Sequence, residues 1–380
     1  MVRRGANRIC RAAWVGRSTA IAAGALVGVP IACVPLFPGE LASVHTAPAP
    51  SATERYCAWF GTRRGDILFF GQSAFWSAFE AAGREPRADL EQPGPTLIGR
   101  FDLRREQLLQ PIVVGRPGDR SGVWDVLVHP EGRLWFTTYF EPAGVVDLST
   151  GGVRRLGALG TGLNELAPGP DGSVLATRYT SGPGQPGAVV VIDPDGRRAA
   201  ELPLRSPAGF TVAPKSVAYD PLRGEIWVTT DLLPEEPGGT IRHDTYVLDL
   251  KGNEKRRIAH PEIQFVAFGD DGTGYMAEVE AGQLFLRVVP APGEHELRLL
   301  LDDAFVSGAD FAQDIQLANG SAVVSRWSGW VHVAERSGAV RSLRLPSLEG
   351  GGLYYTAVLV GERLCATHCG GVTVVCSDLP

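Results

Sequence analysis

The sequence predicts an all-β fold, a β-propeller of seven four-stranded blades. Three observations predict it. A strand–turn–strand unit recurs along the chain, glycine and proline are abundant enough for many turns, and the inner strands of the units are apolar on both faces. With 380 residues, including 47 Gly and 28 Pro, the chain suits one large all-β domain or two ordinary ones and is too turn-rich for long helices.

The unit is clearest in "GVWDVLVHPEGRLWFTTY" (122–139): an apolar strand, a tight turn and a second apolar strand. It recurs as "LNELAPGPDGSVLATRY" (163–179), "PKSVAYDPLRGEIWVTTD" (214–231) and "IQFVAFGDDGTGYMAEVE" (263–280). Two further copies are "FAQDIQLANGSAVVSRWS" (311–328) and "YYTAVLVGERLCATHC" (354–369), and a divergent one, "YCAWFGTRRGDILFFGQS" (56–73), precedes them all. Most continue into a third strand, such as "AGVVDLSTGG" or "AVVVIDPDGR", and a fourth, such as "RRAAELPL". Copies recur roughly every 40–50 residues, the length of a blade. Continuous apolar runs such as Val126-Leu127-Val128 fit strands covered on both sides by neighbouring blades. Because the first copy is divergent, a six-bladed ring is the alternative. The last copy has three strands before Pro380, so its outer strand either comes from the N-terminal segment or is absent.

Residues 1–38 stand apart. Arg3, Arg4, Arg8, Arg11 and Arg17 precede an uncharged stretch, "STAIAAGALVGVPIACVPLFP" (18–38), the layout of a secretory signal. An uncleaved membrane anchor and lipidation at Cys33 are the alternatives. Residues 39–54, rich in Pro, Ala and Ser, read as a flexible linker, and 55–380 as the propeller. The expected location is therefore outside the cytoplasm (periplasmic, cell-surface or secreted), with a lipid or membrane tether through the N-terminus as an option.

Cysteine usage agrees with export. Cys57, Cys365, Cys369 and Cys376 lie at opposite ends of the domain. A two-residue turn at Gly370-Gly371 sets Cys369 against Val372 and Cys365 against Cys376. This predicts one cross-strand disulfide and leaves Cys57 for Cys369. The rival is a metal site of Cys365, His368 and Cys369, which lacks the second cluster that zinc sites show.

The net charge of −6 and the lack of a basic stripe interleaved with aromatics argue against a nucleic-acid role. No phosphate loop, nucleophile elbow or HExxH motif is present. Long connections at 74–96, 180–187 and 231–244 gather at the end where first strands begin and second strands finish, which marks that end as the binding face. Within the first, 74–83 suits a short helix, either a lid over the channel mouth or flat core cover.

Counting back from each turn gives two columns at this end. The first holds Asp125, Glu165 (beside Asn164), Ser216, Phe265 (beside Gln264), Gln313 (beside Asp314) and Thr356. The second holds Thr138, Arg178, Thr230, Glu278, Arg326 and His368. Converging carboxylates and amides suit a hard cation, and Arg178, Glu278, Arg326 and His368 are candidates for ligand binding, with the arginines and the histidine suited to an anion.

The segment "HPEGRLWFTTYFEPAGVVDLSTGG" (129–152) resembles the blade repeat of NHL-type and streptogramin-lyase-type propellers. It is also similar to the gluconolactonase/regucalcin and strictosidine-synthase-like group. The resemblance covers roughly 55–380 and lies at the level of the repeat, so it implies the fold and leaves activity open. The gluconolactonase-like group holds a divalent cation with a Glu, an Asn and an Asp from different blades. Asp125, Asn164, Glu165 and Asp314 resemble that set by position, and Ca²⁺ or Mg²⁺ is the cofactor so implied. Streptogramin lyases use a Glu closing a "WFTE"-like strand with a nearby His. Glu278 stands at that place without the His, so the lyase pair is incomplete.

The expected function is binding of a small molecule or protein partner at the channel mouth, by a monomer. A Ca²⁺- or Mg²⁺-dependent hydrolase or lactonase ranks second and a structural surface module third. Catalysis itself is left open.

Overall fold

A computed structural model describes residues 42–46, 56–73, 94–116, 118–119, 122–129, 132–179, 187–236, 238–260, 265–290, 295–305, 310–348, 353–369 and 371–380. The N-terminal leader with Cys33, the segment 74–83 and most of 180–187 lie outside them. Seven four-stranded antiparallel sheets follow one another in chain order and form a seven-bladed β-propeller. Blade 1 spans 57–113, blade 2 123–155, blade 3 163–203, blade 4 210–260, blade 5 266–302 and blade 6 312–344. Blade 7 takes three strands from 353–378, and its outermost strand is Ser43–Thr46. The ring thus has seven blades rather than six, and an N-terminal strand completes the last. Among the described residues no helix is long and apolar enough to cross a membrane.

The closing strand falls inside the stretch read as a linker. Ser43–Thr46 pairs with Cys376–Thr373 and alternates half-buried with exposed residues, the pattern of an edge strand. Its Pro- and Ala-rich surroundings conceal it in the sequence. Glu106 of blade 1 clamps it, accepting from Ser43 Oγ at 2.5 Å and lying 3.2 Å from His45 Nε2. Arg363 of blade 7 donates to the same carboxylate and holds it down at about 2.

Two disulfides form, as the hairpin register predicts. Cys365 and Cys376 are directly opposed on adjacent strands and are bonded, and Cys57 is bonded to Cys369. The second joins blade 1 to blade 7, so the ring is closed both by a strand and by a covalent link. All four thiols are consumed, which removes the cysteine metal site, and such bonds suit an oxidising compartment.

Blades pack through apolar faces. Phe69 and Ile98 of blade 1 meet Val126, Leu134 and Phe136 of blade 2, all buried, and comparable clusters join blades 3 and 4 and blades 6 and 7. The inner strands of blades 1, 2, 3, 6 and 7 each carry a β-bulge near their start, and that of blade 4 carries one at mid-strand. A bulge puts extra inner-strand residues opposite one on the partner and re-aims their side chains. In blade 2, Trp124 and Asp125 face Thr137 alone.

That partner position acts as a staple. Thr137 Oγ1 accepts from the Asp125 amide at 3.3 Å and donates to the Asn164 carbonyl of blade 3. Thr367 accepts from the Thr356 amide and donates to the Trp59 carbonyl of blade 1, both at 3.0 Å. Ser325 donates to the Tyr355 carbonyl. In blade 1 the position is Gly71, where an added Cβ would lie 2.5 Å from the Val123 carbonyl. There the next blade comes too close for any side chain.

Candidate functional site

The bulges define the channel mouth. Strand registers place Phe60, Asp125, Glu165, Ser216, Phe265, Asp314 and Thr356 at equivalent positions in blades 1 to 7. Asp314, rather than Gln313, is therefore the member from blade 6. Its hairpin turn is one residue shorter than that of blade 2, pairing Ala318 with Ser321 where blade 2 pairs His129 with Arg133.

Three of the five polar members hydrogen-bond the next blade. Asp125 is 8% exposed; one oxygen accepts from the Val126 amide at 2.7 Å and the other from the Leu166 amide of blade 3 at 2.8 Å. Glu165 lies near Ser216 of blade 4, whose hydroxyl favours its ionised form. Asp314 accepts from Thr356 of blade 7 at 2.6 Å and from Gln316 at 2.8 Å. Thr356 accepts in turn from the Gly61 amide of blade 1 at 2.9 Å.

These acids also face one another. Blades 2 and 3 do not neighbour blade 6, so groups that meet between them meet across the axis. Burial, with the charge of Asp314 added, pushes Asp125 up to about 8 despite its two amide bonds. Burial and the charges of Asp125 and Asp314 push Glu165 well above the carboxylate range. Burial carries Asp314 to about 6, against the bonds from Thr356 and Gln316. The structure thus brings three of the four predicted cation ligands into one electrostatic cluster. Asn164 is beside it, but its buried Oδ1 has no hydrogen-bond partner among the described residues. Among those residues no three His, Cys, Asp or Glu side chains gather closely enough to hold a metal ion.

The residue before each of these positions marks a second level, described in every blade but the fifth. In blades 7, 1 and 2 it is aromatic: Tyr355, Trp59 and Trp124. Trp59 lies 4.7 Å from both Trp124 and Tyr355, ring centre to ring centre. In blade 4 it is Lys215, which residue counting did not single out. Its ammonium is 3.1 Å from Asp231 Oδ2, and His243 Nδ1 is 3.0 Å from the other oxygen. The Lys215 ammonium also lies 5.5 Å from the Tyr179 ring, itself 6.1 Å from Tyr139. Burial opposes the Lys215 charge, but Asp231 and Tyr179 outweigh it and the net shift is upward. Burial likewise works against ionised Asp231, yet its bond to His243 and the charge of Lys215 leave it lowered. Both therefore stay charged at neutral pH.

Blade 4 also stands tall. Its inner strands, Phe210–Asp220 and Glu225–Pro234, are 11 and 10 residues long, against 7 and 6 for Val123–His129 and Arg133–Thr138 in blade 2. The sequence reading took 231–244 as loop, whereas strands run to Pro234 and resume at Arg242. Alternating pairs such as Thr211 with Leu233 and Val212 with Leu232 carry the ladder onward.

The second predicted column is spent on structure. Arg326 is 3% exposed and bonds Asp310 and Asp302, with His332 at 3.4 Å. Arg178 pairs with Glu201 at 3.1 Å and donates to the Leu159 and Thr161 carbonyls. Glu278 pairs with Arg287 at 3.3 Å and lies 3.8 Å from Arg298. His368 is buried against Tyr354, and burial lowers it to about 4, so it is uncharged at neutral pH. At the opposite mouth, a cavity of about 370 Å³ is lined by Arg63, Gln316, Asn319 and Leu359. Arg63 is already committed to the Gly65 and Leu359 carbonyls there, at 2.7 and 2.5 Å.

No protein-family model and no curated protein matches this chain. Among solved structures it is similar to a catalytically inactive virginiamycin B lyase from Staphylococcus aureus with quinupristin. The TM-score is 0.57 at 11% identity, over 90% of this chain and 100% of that one. A computationally designed protein, Ika8, is similar at a TM-score of 0.49 and 14% identity, over 85% and 97%. The first likeness supports the propeller fold; at such identity activity does not transfer.

Proposed function

We propose that this protein is an exported β-propeller that binds a small molecule or a protein partner at the bulge-bearing mouth of its channel, without turning it over. One observation carries this: Asp125, Glu165 and Asp314 converge across the axis, with Lys215 beside them. Like-charged acids held together away from bulk water cost folding free energy. A ligand that satisfies them offsets that cost, whereas a scaffold alone would be more stable with apolar residues there. The tall blade 4 walls one side of the same mouth. Export is supported by the two disulfides and by the basic-then-apolar leader, which also offers a tether.

A Ca²⁺- or Mg²⁺-dependent hydrolase or lactonase is the second reading. Asp125 favours it, because an acid lifted to about 8 exchanges protons near neutral pH, as a general acid–base must. The test is a thermal-shift screen of the full chain against small molecules, with and without Ca²⁺ or Mg²⁺, alongside turnover assays on lactones and esters. Binding predicts ligand-dependent stabilisation that Glu165→Gln abolishes, and no turnover. Turnover that Asp125→Asn abolishes would replace binding by hydrolysis. If nothing responds at this mouth, both readings fall.

A further inference from the structure

The second level at the mouth is asymmetric in a way that selects a ligand class. Blades 7, 1 and 2 present Tyr355, Trp59 and Trp124, while blade 4 presents Lys215, the one basic side chain at this level among the described residues. Resting on the binding reading, we infer that Lys215 is the docking point for the anionic end of the ligand, and that the ligand is a small aromatic carboxylate.

The ammonium is preorganised. Its one carboxylate partner, Asp231, is itself fixed by His243, and the Lys215 side chain remains 30% exposed. An ammonium has three N–H donors. One goes to Asp231, and no described group accepts from the other two. A second unspent donor stands at the equivalent position of blade 2: the Trp124 indole N–H is buried without a partner among the described residues. An incoming carboxylate takes such donors in charge-assisted hydrogen bonds, the strongest class available here.

Burial raises Asp125, to about 8, and Glu165 as well, which weakens the repulsion an anion meets from them; Asp314, at about 6, lies in another blade, and Asp231 is already paired with Lys215. The aromatic half follows from Tyr179, whose ring lies 5.5 Å from the ammonium, and from Tyr139, whose ring lies 6.1 Å beyond it at the end of blade 2. Such rings favour offset or edge contacts with another ring. The unpartnered Oδ1 of Asn164 would accept from a hydroxyl or amine carried on the ligand ring.

The test is calorimetric titration of the full chain at pH 7 with benzoate, acetate and benzylamine. Benzoate should bind about tenfold more tightly than either of the others. Lys215→Arg should keep benzoate affinity within about threefold, because charge and donors survive. The double variant Lys215→Met with Asp231→Asn removes both charges, so no unpaired carboxylate is left to unfold the blade, and should lose about tenfold or more. Tyr179→Leu should lose about fivefold. Unchanged benzoate affinity in the double variant would overturn the assignment. So would tighter binding of benzylamine; if Glu165→Gln weakened that binding, the mouth would remain a binding site for a different ligand class. Absence of binding by all three probes overturns the aromatic-carboxylate assignment, and the thermal-shift screen then decides separately whether the mouth binds anything.

Discussion

Asp125→Asn isolates the energetic consequence of gathering acids on the axis. Folding lifts this carboxyl from 3.8 to about 8, chiefly because its ionised form is deprived of water. An acid whose folded pKa lies above its unfolded one binds its proton more tightly when folded. Its contribution is complete below 3.8, declines as pH rises, and levels off above about 8. The decline is about 1.4 kcal/mol per pH unit. Three histidines oppose it at lower pH: burial depresses His260 and His368 to about 4 and His332 to about 3, from 6.5. Such groups add stability as pH rises toward 6.5 and are silent above it; Glu165 and Asp314, also raised, are present in both proteins, so from 6.5 to 8 the difference between the two reports Asp125. Across it, the stability of the wild type relative to Asp125→Asn should fall by about 2 kcal/mol. Asparagine keeps the shape but only one of the two acceptors for the Val126 and Leu166 amides; that loss is a constant offset, so the pH dependence of the difference reports the ionisation. Guanidinium denaturation followed by tryptophan fluorescence, at half-unit steps of pH, measures it. Parallel curves for the two proteins between 6.5 and 8 would refute the placement of Asp125 in a water-poor, like-charged cluster.

Three further outcomes follow from the packing. Replacing Cys57 and Cys369 by serine opens a loop of 312 residues and should cost roughly 6 kcal/mol, against roughly 3 kcal/mol for Cys365 and Cys376, by the chain-entropy relation; denaturation with and without reductant checks both. Thr137→Val breaks a blade-to-blade staple and should cost about 1–2 kcal/mol, whereas Thr229→Val, which removes a buried hydroxyl with no hydrogen-bond partner, should be neutral or stabilising in the same melts. Arg326→Ala strands Asp302 and Asp310 and should cost about 3–5 kcal/mol, while ligand responses of the folded variant at the channel mouth stay as in the wild type.

The blades were legible because their signals are local: apolar inner strands and glycine turns repeat in the sequence itself. The disulfides were legible for the same reason, since the Gly370-Gly371 turn fixes which residues oppose each other down to Cys365 and Cys376. What escaped was anything that depends on adding or dropping one residue. Asn319 and Gly320, both at positive φ, make a turn one residue shorter than that after His129, so counting back reached Gln313 when the channel takes Asp314. Lys215 escaped because its meaning lies in Asp231 and His243, held beside it by a strand extension that reads as loop. Arg178, Glu278 and Arg326 are the opposite case. Their type suggested ligands, but their partners in neighbouring strands or connections had already claimed them.

The same side chains serve the ring and the site, and this has an energetic consequence. Asp125 spends one oxygen on the Leu166 amide and Asp314 spends one on Thr356, each in the next blade. Any ligand that changes their ionisation therefore changes the strength of two blade-to-blade bonds, since an ionised acceptor makes the stronger hydrogen bond. Binding at the mouth and stability of the ring are linked, and by reciprocity a perturbation of one must appear in the other. A variant that weakens ring closure at Cys57–Cys369 should then also weaken ligand binding at Asp125, Glu165 and Asp314, through no contact with the ligand at all.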